Sequence, residues 1–148
     1  MNSSKKLSLI LADDDQDDYL LFLEALKELT ADVHLTWISD GVKLLQLLSG
    51  NKSVPDIVFL DLNMPRKNGL DCLKEMKESE KLSRIPVIIY STSADQKAID
   101  QLYAGGAHLY IQKPTEFSKL KEVISAALSQ SELNLSQRPE KDKFLIKP

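Results

Sequence analysis

The sequence predicts an α/β protein in which helices cover both faces of a parallel β-sheet. Short apolar runs alternate with helical patterns along most of the chain, with five of each, and this alternation is typical of a parallel sheet. Three of the runs, at 7–12, 56–60 and 86–91, are almost continuously apolar, as expected of strands that are buried on both faces.

The first half of the chain contains three predicted strands and two predicted helices. The apolar run LSLILA predicts the first strand, and apolar residues that recur every three or four positions from Tyr19 to Leu29 predict the helix after it. VHLTWIS predicts the second strand, Gly50 is placed to end the second helix, and Pro55 leads into the third strand. In chain order, these elements are a strand over 7–12, a helix over 17–29, a strand over 33–39, a helix over 40–50 and a strand over 56–60.

The second half continues the alternation with three helices and two strands. Leu70, Leu73 and Met76 lie on one face of its first helix, and Pro86 takes the first position of the next strand, where proline is tolerated. Two glycines end the following helix, and the last helix has an apolar stripe that begins at Phe117. In chain order, these elements are a helix over 69–79, a strand over 86–91, a helix over 95–106, a strand over 108–112 and a helix over 116–130.

The composition excludes several classes of protein. A net charge of −3 gives no basic field for nucleic acid or for an anionic membrane surface, and Cys72 alone cannot form an internal disulfide or a cysteine-rich metal site. The apolar run near the N terminus is short and ends in three aspartates, so we do not interpret it as a signal peptide. No segment approaches the roughly 20 apolar residues of a membrane-spanning helix. We therefore expect a cytoplasmic protein.

The chain of 148 residues suits one domain, which we expect over 6–130. Residues 131–148 form a C-terminal tail that has too few residues to build the core of an output domain. The tail is polar and charged through Lys143 and then apolar from Phe144 to Ile146. It is either flexible, or it docks on its own domain or on a partner through those apolar residues.

Polar residues follow the predicted strands at the points where they end. Three aspartates, 13–15, follow the first strand, and Asp61 follows the third. Hydroxyl residues, 91–93, close the fourth strand, and Lys113 follows the fifth. Because ligands of an open parallel sheet bind beyond the carboxyl ends of its strands, we expect these side chains to converge on one edge.

This set of residue types predicts phosphoryl transfer. Clustered carboxylates repel one another unless a cation lies among them, and oxygen ligands suit Mg²⁺. Asp61 is then placed to attack a phosphoryl group and form an aspartyl phosphate. Mg²⁺ and Lys113 would supply the charge neutralisation that this reaction needs.

Three motifs carry a resemblance to a known family: LADDD, DLNMPRKNG and QKP. With them, the chain resembles the receiver domain of two-component response regulators over about 6–130. The resemblance implies the doubly wound, flavodoxin-like and CheY-like fold, a five-stranded parallel sheet of order 2-1-3-4-5 with five helices. It also identifies Pro65 and Gly69 with the usual positions four and eight residues after the phosphoacceptor.

The resemblance assigns the acidic residues. Asp61 would be the phosphoacceptor and a metal ligand. Asp14 would bind Mg²⁺ directly, Asp13 through a water, and Asn63 through its backbone carbonyl. Asp15 falls one place beyond the acidic pair and is not assigned to the metal.

The resemblance also assigns the phosphoryl-binding and switch residues. Lys113 would bind the phosphoryl oxygens, and the bond before Pro114 is expected to be cis, although cis bonds are the minority before proline. The hydroxyl that contacts the phosphoryl group is Ser91 or, after a shift of one residue, Thr92. Tyr110 matches the aromatic residue that changes rotamer on phosphorylation, and its alternative role is that of an ordinary half-buried strand tyrosine.

The implied function is that of a single-domain response regulator in a phosphorelay. It would accept a phosphoryl group from a sensor histidine kinase or a phosphotransfer protein and signal by contact with a downstream protein. It would not be an enzyme, apart from Mg²⁺-dependent self-phosphorylation and autodephosphorylation. The acidic start and the STS sequence also resemble regulators that are paired with bacterial phytochromes, and homodimerisation is left open.

Three other classes of protein fit less of this pattern. A flavin-binding domain of this fold needs a phosphate-binding loop rich in Gly, Ser or Thr after the first strand, where this chain has DDDQDD. A haloacid-dehalogenase-like phosphatase normally has a second acid where this chain has Asn63. A receiver kept only as an interaction module would not need the acidic pair, Asp61 and Lys113 together.

Overall fold

The computed structural model describes residues 6–30, 32–50, 54–133 and 138–146. The strands are β1 Leu7–Ala12, β2 Val33–Ile38, β3 Ile57–Leu60, β4 Val87–Ser91, β5 Leu109–Gln112 and β6 Leu145–Ile146. The helices are α1 Gln16–Leu29, α2 Gly41–Gly50, α3 Gly69–Glu78, α4 Gln96–Ala104 and α5 Phe117–Leu133, and a short 3-10 helix spans Lys141–Lys143. The predicted elements are all present, and the last helix runs beyond the predicted residue 130.

The strands form one parallel sheet of order β2-β1-β3-β4-β5-β6. The first five follow the expected order 2-1-3-4-5. The expectation of five strands falls one short, because the tail supplies β6, in which Leu145 pairs with Tyr110 and Ile146 with Ile111. The docked tail was one of the two alternatives, and it gives backbone partners to what would otherwise be the exposed edge of β5.

Successive residues of the central strands point into two separate apolar cores. Leu60 packs with Met76 on the face that α2, α3 and α4 cover. Phe59 packs edge-on against Phe22 of α1, with ring centroids 4.9 Å apart, on the face that α1 and α5 cover. All four residues of β3 are buried. This burial on both faces explains why β3 is apolar throughout.

Helices α1 to α4 each begin with a side chain that accepts a hydrogen bond from an amide of the first turn, and Asp40 does so for α2. Asp15 accepts from the amides of Asp17, at 2.8 Å, and Asp18, at 3.2 Å. Asn68 caps α3 and Asp95 caps α4 in the same way, each at 2.9 Å from its donor. Asp15 therefore has a structural role as the cap of α1. Within the described ranges, no helix is both long and apolar enough to cross a membrane.

Candidate functional site

The ends of the strands are aligned by backbone hydrogen bonds, which bring the predicted site residues to one edge of the sheet. The amide of Asp13 donates to the last residue of β2 at 3.0 Å, and the amide of Asp61 donates to the last residue of β1 at 2.9 Å. The amide of Lys113 donates to the last residue of β4 at 2.8 Å. These bonds continue the parallel ladder by one residue, so the side chains after the strands project from the same edge.

Asp13, Asp14 and Asp61 form a cluster with the geometry of a metal site. One carboxylate oxygen from each residue lies within 4.8 Å of those of the other two. Asp13 and Asp61 are buried, with 0% and 6% of their surface exposed, while Asp14 is exposed. A cation could therefore bind two buried carboxylates and still keep waters on its open side, which is the coordination that Mg²⁺ favours.

Lys113 lies beside this cluster and contacts three carboxylates, two of the cluster and one of α1. Its Nζ lies 2.8 Å from Asp13 Oδ2, 2.8 Å from Asp18 Oδ2 and 3.3 Å from Asp61 Oδ2. Burial by itself would lower the pKa of Lys113, but the hydrogen bonds to Asp13 and Asp18 outweigh it, and the pKa lies above its usual value. The lysine is therefore a fixed positive charge beside Asp61.

The buried carboxylates bind protons more readily than ordinary aspartates. Burial raises the pKa of Asp13 to about 6, even though the hydrogen bond from Lys113 opposes the rise. Burial likewise raises the pKa of Asp61, against the lowering effect of the Lys113 charge. One ammonium group thus does not compensate for desolvating these carboxylates. A divalent cation bound between these carboxylates would supply the missing positive charge and stabilise their ionised forms.

The contact between Asp18 and Lys113 was missed by the sequence analysis. Asp18 lies in the first turn of α1, and Asp15 caps that helix by accepting a hydrogen bond from the Asp18 amide. The cap sets the start of the helix, and the helix directs the Asp18 side chain toward the lysine. The only signal in the sequence was the length of the acidic run DDDQDD, which is equally typical of a solvated helix N terminus.

Trp37 joins β2 to the same edge of the sheet. Its indole Nε1 donates to the backbone carbonyl of Asp13 at 2.7 Å. Its ring stacks on Tyr19 of α1, with centroids 4.7 Å apart and planes 5° from parallel. The peptide that carries Asp13 is therefore held by an aromatic pair that bridges the helix and the strand.

The loop after β3 folds closely around Asp61. The amide of Asn63 lies 3.4 Å from Asp61 Oδ1, and the amide of Gly69 donates to the carbonyl of Leu62 at 2.9 Å. A Cβ atom at Gly69 would lie 2.4 Å from the Asp61 carbonyl oxygen. Glycine at this position is thus required by the close approach of the two backbone segments.

A tight turn at Arg66 shapes the middle of the same loop. Arg66 has φ of 69°, and the amide of Lys67 donates to the carbonyl of Pro65 at 2.7 Å. This conformation is uncommon for a residue with a side chain. Arg66 Nη1 lies 3.5 Å from Asp40, which also accepts a hydrogen bond from the Lys43 amide at the start of α2. The turn is therefore attached to α2.

The structure distinguishes the surroundings of the two candidate hydroxyl residues. Ser91 is fully buried at the end of β4, and its Oγ accepts from the Ser93 amide at 3.3 Å, whereas Thr92 is exposed. Tyr110 is fully buried, and its hydroxyl donates to the carbonyl of Ser93. Tyr110 is thus more deeply buried than a half-buried strand tyrosine, and it contacts the segment that follows Ser91.

The expectation of a cis bond before Pro114 is not met. The described part of the chain has no cis peptide bond, so the Lys113–Pro114 bond is trans. The trans isomer is the lower in free energy for most bonds that precede proline. With a trans bond here, Lys113 still reaches Asp13, Asp18 and Asp61.

Comparisons with known proteins agree with the fold. The family model for the response regulator receiver domain matches residues 9–125. Response regulator Rcp1 of Synechocystis is 30% identical over 121 residues, which cover 78% of this chain and 82% of that protein. The "Probable methanogenesis regulatory protein FilR2" of Methanothrix harundinacea is 30% identical over 120 residues, which cover 78% of this chain and 77% of that protein.

Two solved structures of response regulators have the same fold as this chain. The phosphorylated cyanobacterial phytochrome response regulator RcpA superposes with a TM-score of 0.79 at 30% identity, covering 91% of this chain and 99% of that one. The Mn²⁺-bound form of Rcp1 superposes with a TM-score of 0.76 at 27% identity, covering 90% of this chain and 99% of that one.

The fold is of the doubly wound α/β class, with three carboxylates and a lysine at one edge of its parallel sheet. The chain belongs to the response regulator receiver domain family. It is a phosphoryl-accepting component of two-component signalling, of a family that binds a divalent metal ion and interacts with histidine kinases and downstream targets.

Proposed function

We propose that Asp61 is the residue that accepts the phosphoryl group and that the metal is Mg²⁺. The observation that carries this proposal is that the Asp61 carboxylate lies in the cluster with Asp13 and Asp14, which could hold a metal ion, and is also 3.3 Å from the Lys113 ammonium group. An Asp61 oxygen would attack phosphorus as the bond from phosphorus to the donor breaks, and the donor would leave with that electron pair.

The other residues would hold the metal and the phosphoryl oxygens. Asp14 would bind Mg²⁺ directly, Asp13 through a water, and Asn63 through its backbone carbonyl. Lys113 would move from its carboxylate partners to a phosphoryl oxygen once Asp61 is modified, because the new dianion is the stronger partner. Of the two candidate hydroxyl residues, we assign Ser91 rather than Thr92 to the phosphoryl group, since Ser91 is buried at the end of β4 and Thr92 is exposed.

We further propose that the domain over residues 6–130 acts as a switch in the cytoplasm rather than as an enzyme with a released product. The phosphoryl donor would be a sensor histidine kinase or a phosphotransfer protein, and the output would be contact with a protein target. A phytochrome kinase is supported by the description of RcpA as a phytochrome response regulator. Tyr110 is the proposed relay, since its hydroxyl contacts the segment that follows Ser91.

The test is the intact mass of the protein after incubation with acetyl phosphate. The wild type should gain about 80 Da, one phosphoryl group, in the presence of Mg²⁺ and not in the presence of chelator. Asp61→Asn should gain nothing. The matched control is Asp17→Asn, which removes an exposed carboxylate from the same edge of the molecule and should be modified like the wild type.

Two results would count against the proposal. Modification of Asp61→Asn to the same extent as the wild type would move the acceptor to another residue. No modification by acetyl phosphate or by a cognate histidine kinase would instead favour a receiver that serves only as an interaction module.

A further inference from the structure

The C-terminal arm, residues 138–146, lies along the outer edge of the sheet and against α4. Its strand β6 pairs with β5 in parallel, and the Tyr110 amide donates to the carbonyl of Phe144 at 3.0 Å. Phe144 is fully buried. An extended segment that adds to a sheet edge and inserts one side chain is a recurrent way in which proteins bind peptides. Here the bound segment belongs to the same chain.

Phe144 is the apolar anchor of the arm. Its ring packs edge-on against Tyr103 of α4, with centroids 5.1 Å apart, and against Tyr110 of β5, with centroids 6.1 Å apart. Aromatic pairs in this geometry contribute about 0.5–1.5 kcal/mol beyond the area they bury. The anchor therefore depends on the position of the Tyr110 ring.

Polar contacts fix the rest of the arm on α4. The Arg138 guanidinium lies 4.0 Å above the Tyr103 ring, and Arg138 Nη2 donates to the Tyr103 carbonyl at 2.7 Å. The Tyr103 hydroxyl donates to the carbonyl of Pro139 at 3.3 Å, and Lys141 Nζ lies 2.7 Å from Asp100. Because the Arg138 and Lys141 side chains are exposed, we expect these polar contacts to contribute less to the binding of the arm than the buried Phe144 does.

A short series of contacts connects Phe144 to Ser91 and Lys113, at the edge of the sheet where Asp61 lies. Tyr110 touches Phe144 with its ring and donates from its hydroxyl to the carbonyl of Ser93. The Ser93 amide donates to Ser91 Oγ at 3.3 Å, and the carbonyl of Ser91 accepts from the Lys113 amide at 2.8 Å. A movement of Ser91 or Lys113 toward a phosphoryl group would therefore alter the Ser93 segment that holds the Tyr110 hydroxyl.

We propose that the C-terminal arm is an intramolecular ligand of the α4 and β5 surface, and that phosphorylation of Asp61 weakens its binding through Ser93 and Tyr110. This proposal depends on the proposed function of Asp61. The arm and a target would compete for the same strand edge and the same aromatic pocket. Because the coupling is mutual, loss of the arm should favour the phosphorylated conformation of the domain, just as phosphorylation favours loss of the arm.

Amide hydrogen exchange tests this coupling at a single bond, since the Tyr110 amide is bonded to Phe144 in the arm. The wild type is compared with and without acetyl phosphate in the presence of Mg²⁺, and the phosphorylated fraction of each sample is measured by intact mass. Phosphorylation should accelerate exchange of the Tyr110 amide by roughly 5- to 100-fold, the range of a typical coupling free energy. Asp61→Asn should show no response.

Phe144→Ala tests the reciprocal effect. Without phosphorylation its Tyr110 amide should already exchange fast, and its phosphorylated fraction at limiting acetyl phosphate should exceed that of the wild type. The matched control is the neighbouring Lys143→Ala, whose side chain is exposed and which should behave like the wild type. Both variants alter the arm rather than the acceptor site, so each should still be phosphorylated.

The outcomes separate this proposal from the one on which it depends. Phosphorylation without faster exchange at Tyr110 would overturn the coupling and leave the proposed function intact. The absence of any phosphoryl adduct, both with acetyl phosphate and with a cognate histidine kinase, would overturn both proposals. Protection of the Tyr110 amide that increases with protein concentration would mean that a second copy supplies the arm, and this would overturn the intramolecular assignment.

Discussion

Asp18 Oδ2 lies 2.8 Å from Lys113 Nζ, which is closer than the 3.3 Å between that lysine and Asp61. Without a phosphoryl group, Lys113 is therefore at least as close to Asp18 of α1 as to Asp61, the proposed phosphoacceptor. To bind a phosphoryl oxygen it must weaken or share its contact with Asp18. Asp18 is thus a positioning residue that competes for Lys113.

Asp18→Asn should accelerate phosphorylation by acetyl phosphate at saturating Mg²⁺. The substitution removes a competing anion and reduces the repulsion of the anionic donor, an effect of about 0.5–1 kcal/mol, or two- to fivefold in rate. The measurement is the rate of adduct formation by intact mass, with Asp17→Asn as the control. A rate equal to or below that of the wild type would contradict the role of Asp18 as a competitor.

Mg²⁺ binding should change the fluorescence of Trp37. Its indole is bonded to the carbonyl of Asp13, so a cation drawn into the cluster of Asp13, Asp14 and Asp61 alters its surroundings. Asp14→Asn should weaken the Mg²⁺ affinity about tenfold or more, because it removes a ligand charge from the site. Asp17→Asn again serves as the control. Equal affinities for Asp14→Asn and the wild type would exclude Asp14 as a direct ligand.

Gly69→Ala should destabilise the protein and slow phosphorylation. The added Cβ would lie 2.4 Å from the Asp61 carbonyl oxygen, so the backbone must shift, at a cost of about 1–3 kcal/mol in the free energy of unfolding. Gly50→Ala, at the last residue of α2, is the matched control, because no atom of the described residues lies within 4 Å of its added Cβ, and it should be at least as stable as the wild type. Urea unfolding measures both, and a Gly69→Ala protein as stable as the wild type would contradict the close approach.

His108 should make the stability of the protein depend on pH. Burial, with the charges of Arg138 and Lys77, lowers the pKa of His108, and its buried Nε2 has no hydrogen-bond partner among the residues that the structure describes. The unfolded chain therefore binds a proton near pH 6.5 more readily than the folded chain does, so this residue adds stability as the pH rises through that range.

His108→Leu should lose that contribution. The measurement is the free energy of unfolding at pH 7.5 minus that at pH 5.5. This difference should be lower in the variant than in the wild type. The control is His34→Leu, at an exposed position of β2, which should keep the wild-type difference. A His108→Leu protein with an unchanged pH difference would show that His108 is not the group responsible.

Most of the fold was predictable from two properties of the sequence: the apolar pattern of each segment, which shows how it is buried, and the order of the segments along the chain. Strand β3 has apolar residues on both of its faces, because Phe59 and Leu60 enter different cores. A continuous apolar segment of this kind can be recognised in the sequence. The site followed from the same logic, since residues that come directly after parallel strands share an edge. Asp13, Asp14, Asp61 and Lys113 were therefore predictable as a group.

The details that were missed depend on single side-chain contacts. Asp18 could have faced solvent or the lysine, and the direction was set by the cap at Asp15. The strand β6 has two residues, too few to show any period, and its pairing depends on the aromatic pocket that receives Phe144. The isomer of the Lys113–Pro114 bond came from the resemblance alone, and the structure has the opposite one.

The pairing of β6 with β5 also bears on the solubility of the protein. Leu109, Tyr110 and Ile111 are fully buried apolar residues of β5, and an uncovered strand of this kind is a template for pairing with other chains. During synthesis β5 leaves the ribosome before the arm does, so we expect the edge of β5 to stay open to other chains until the arm docks. Any step that detaches the arm in the mature protein would open that edge again, which favours detachment that is brief or that ends in immediate capture by a partner.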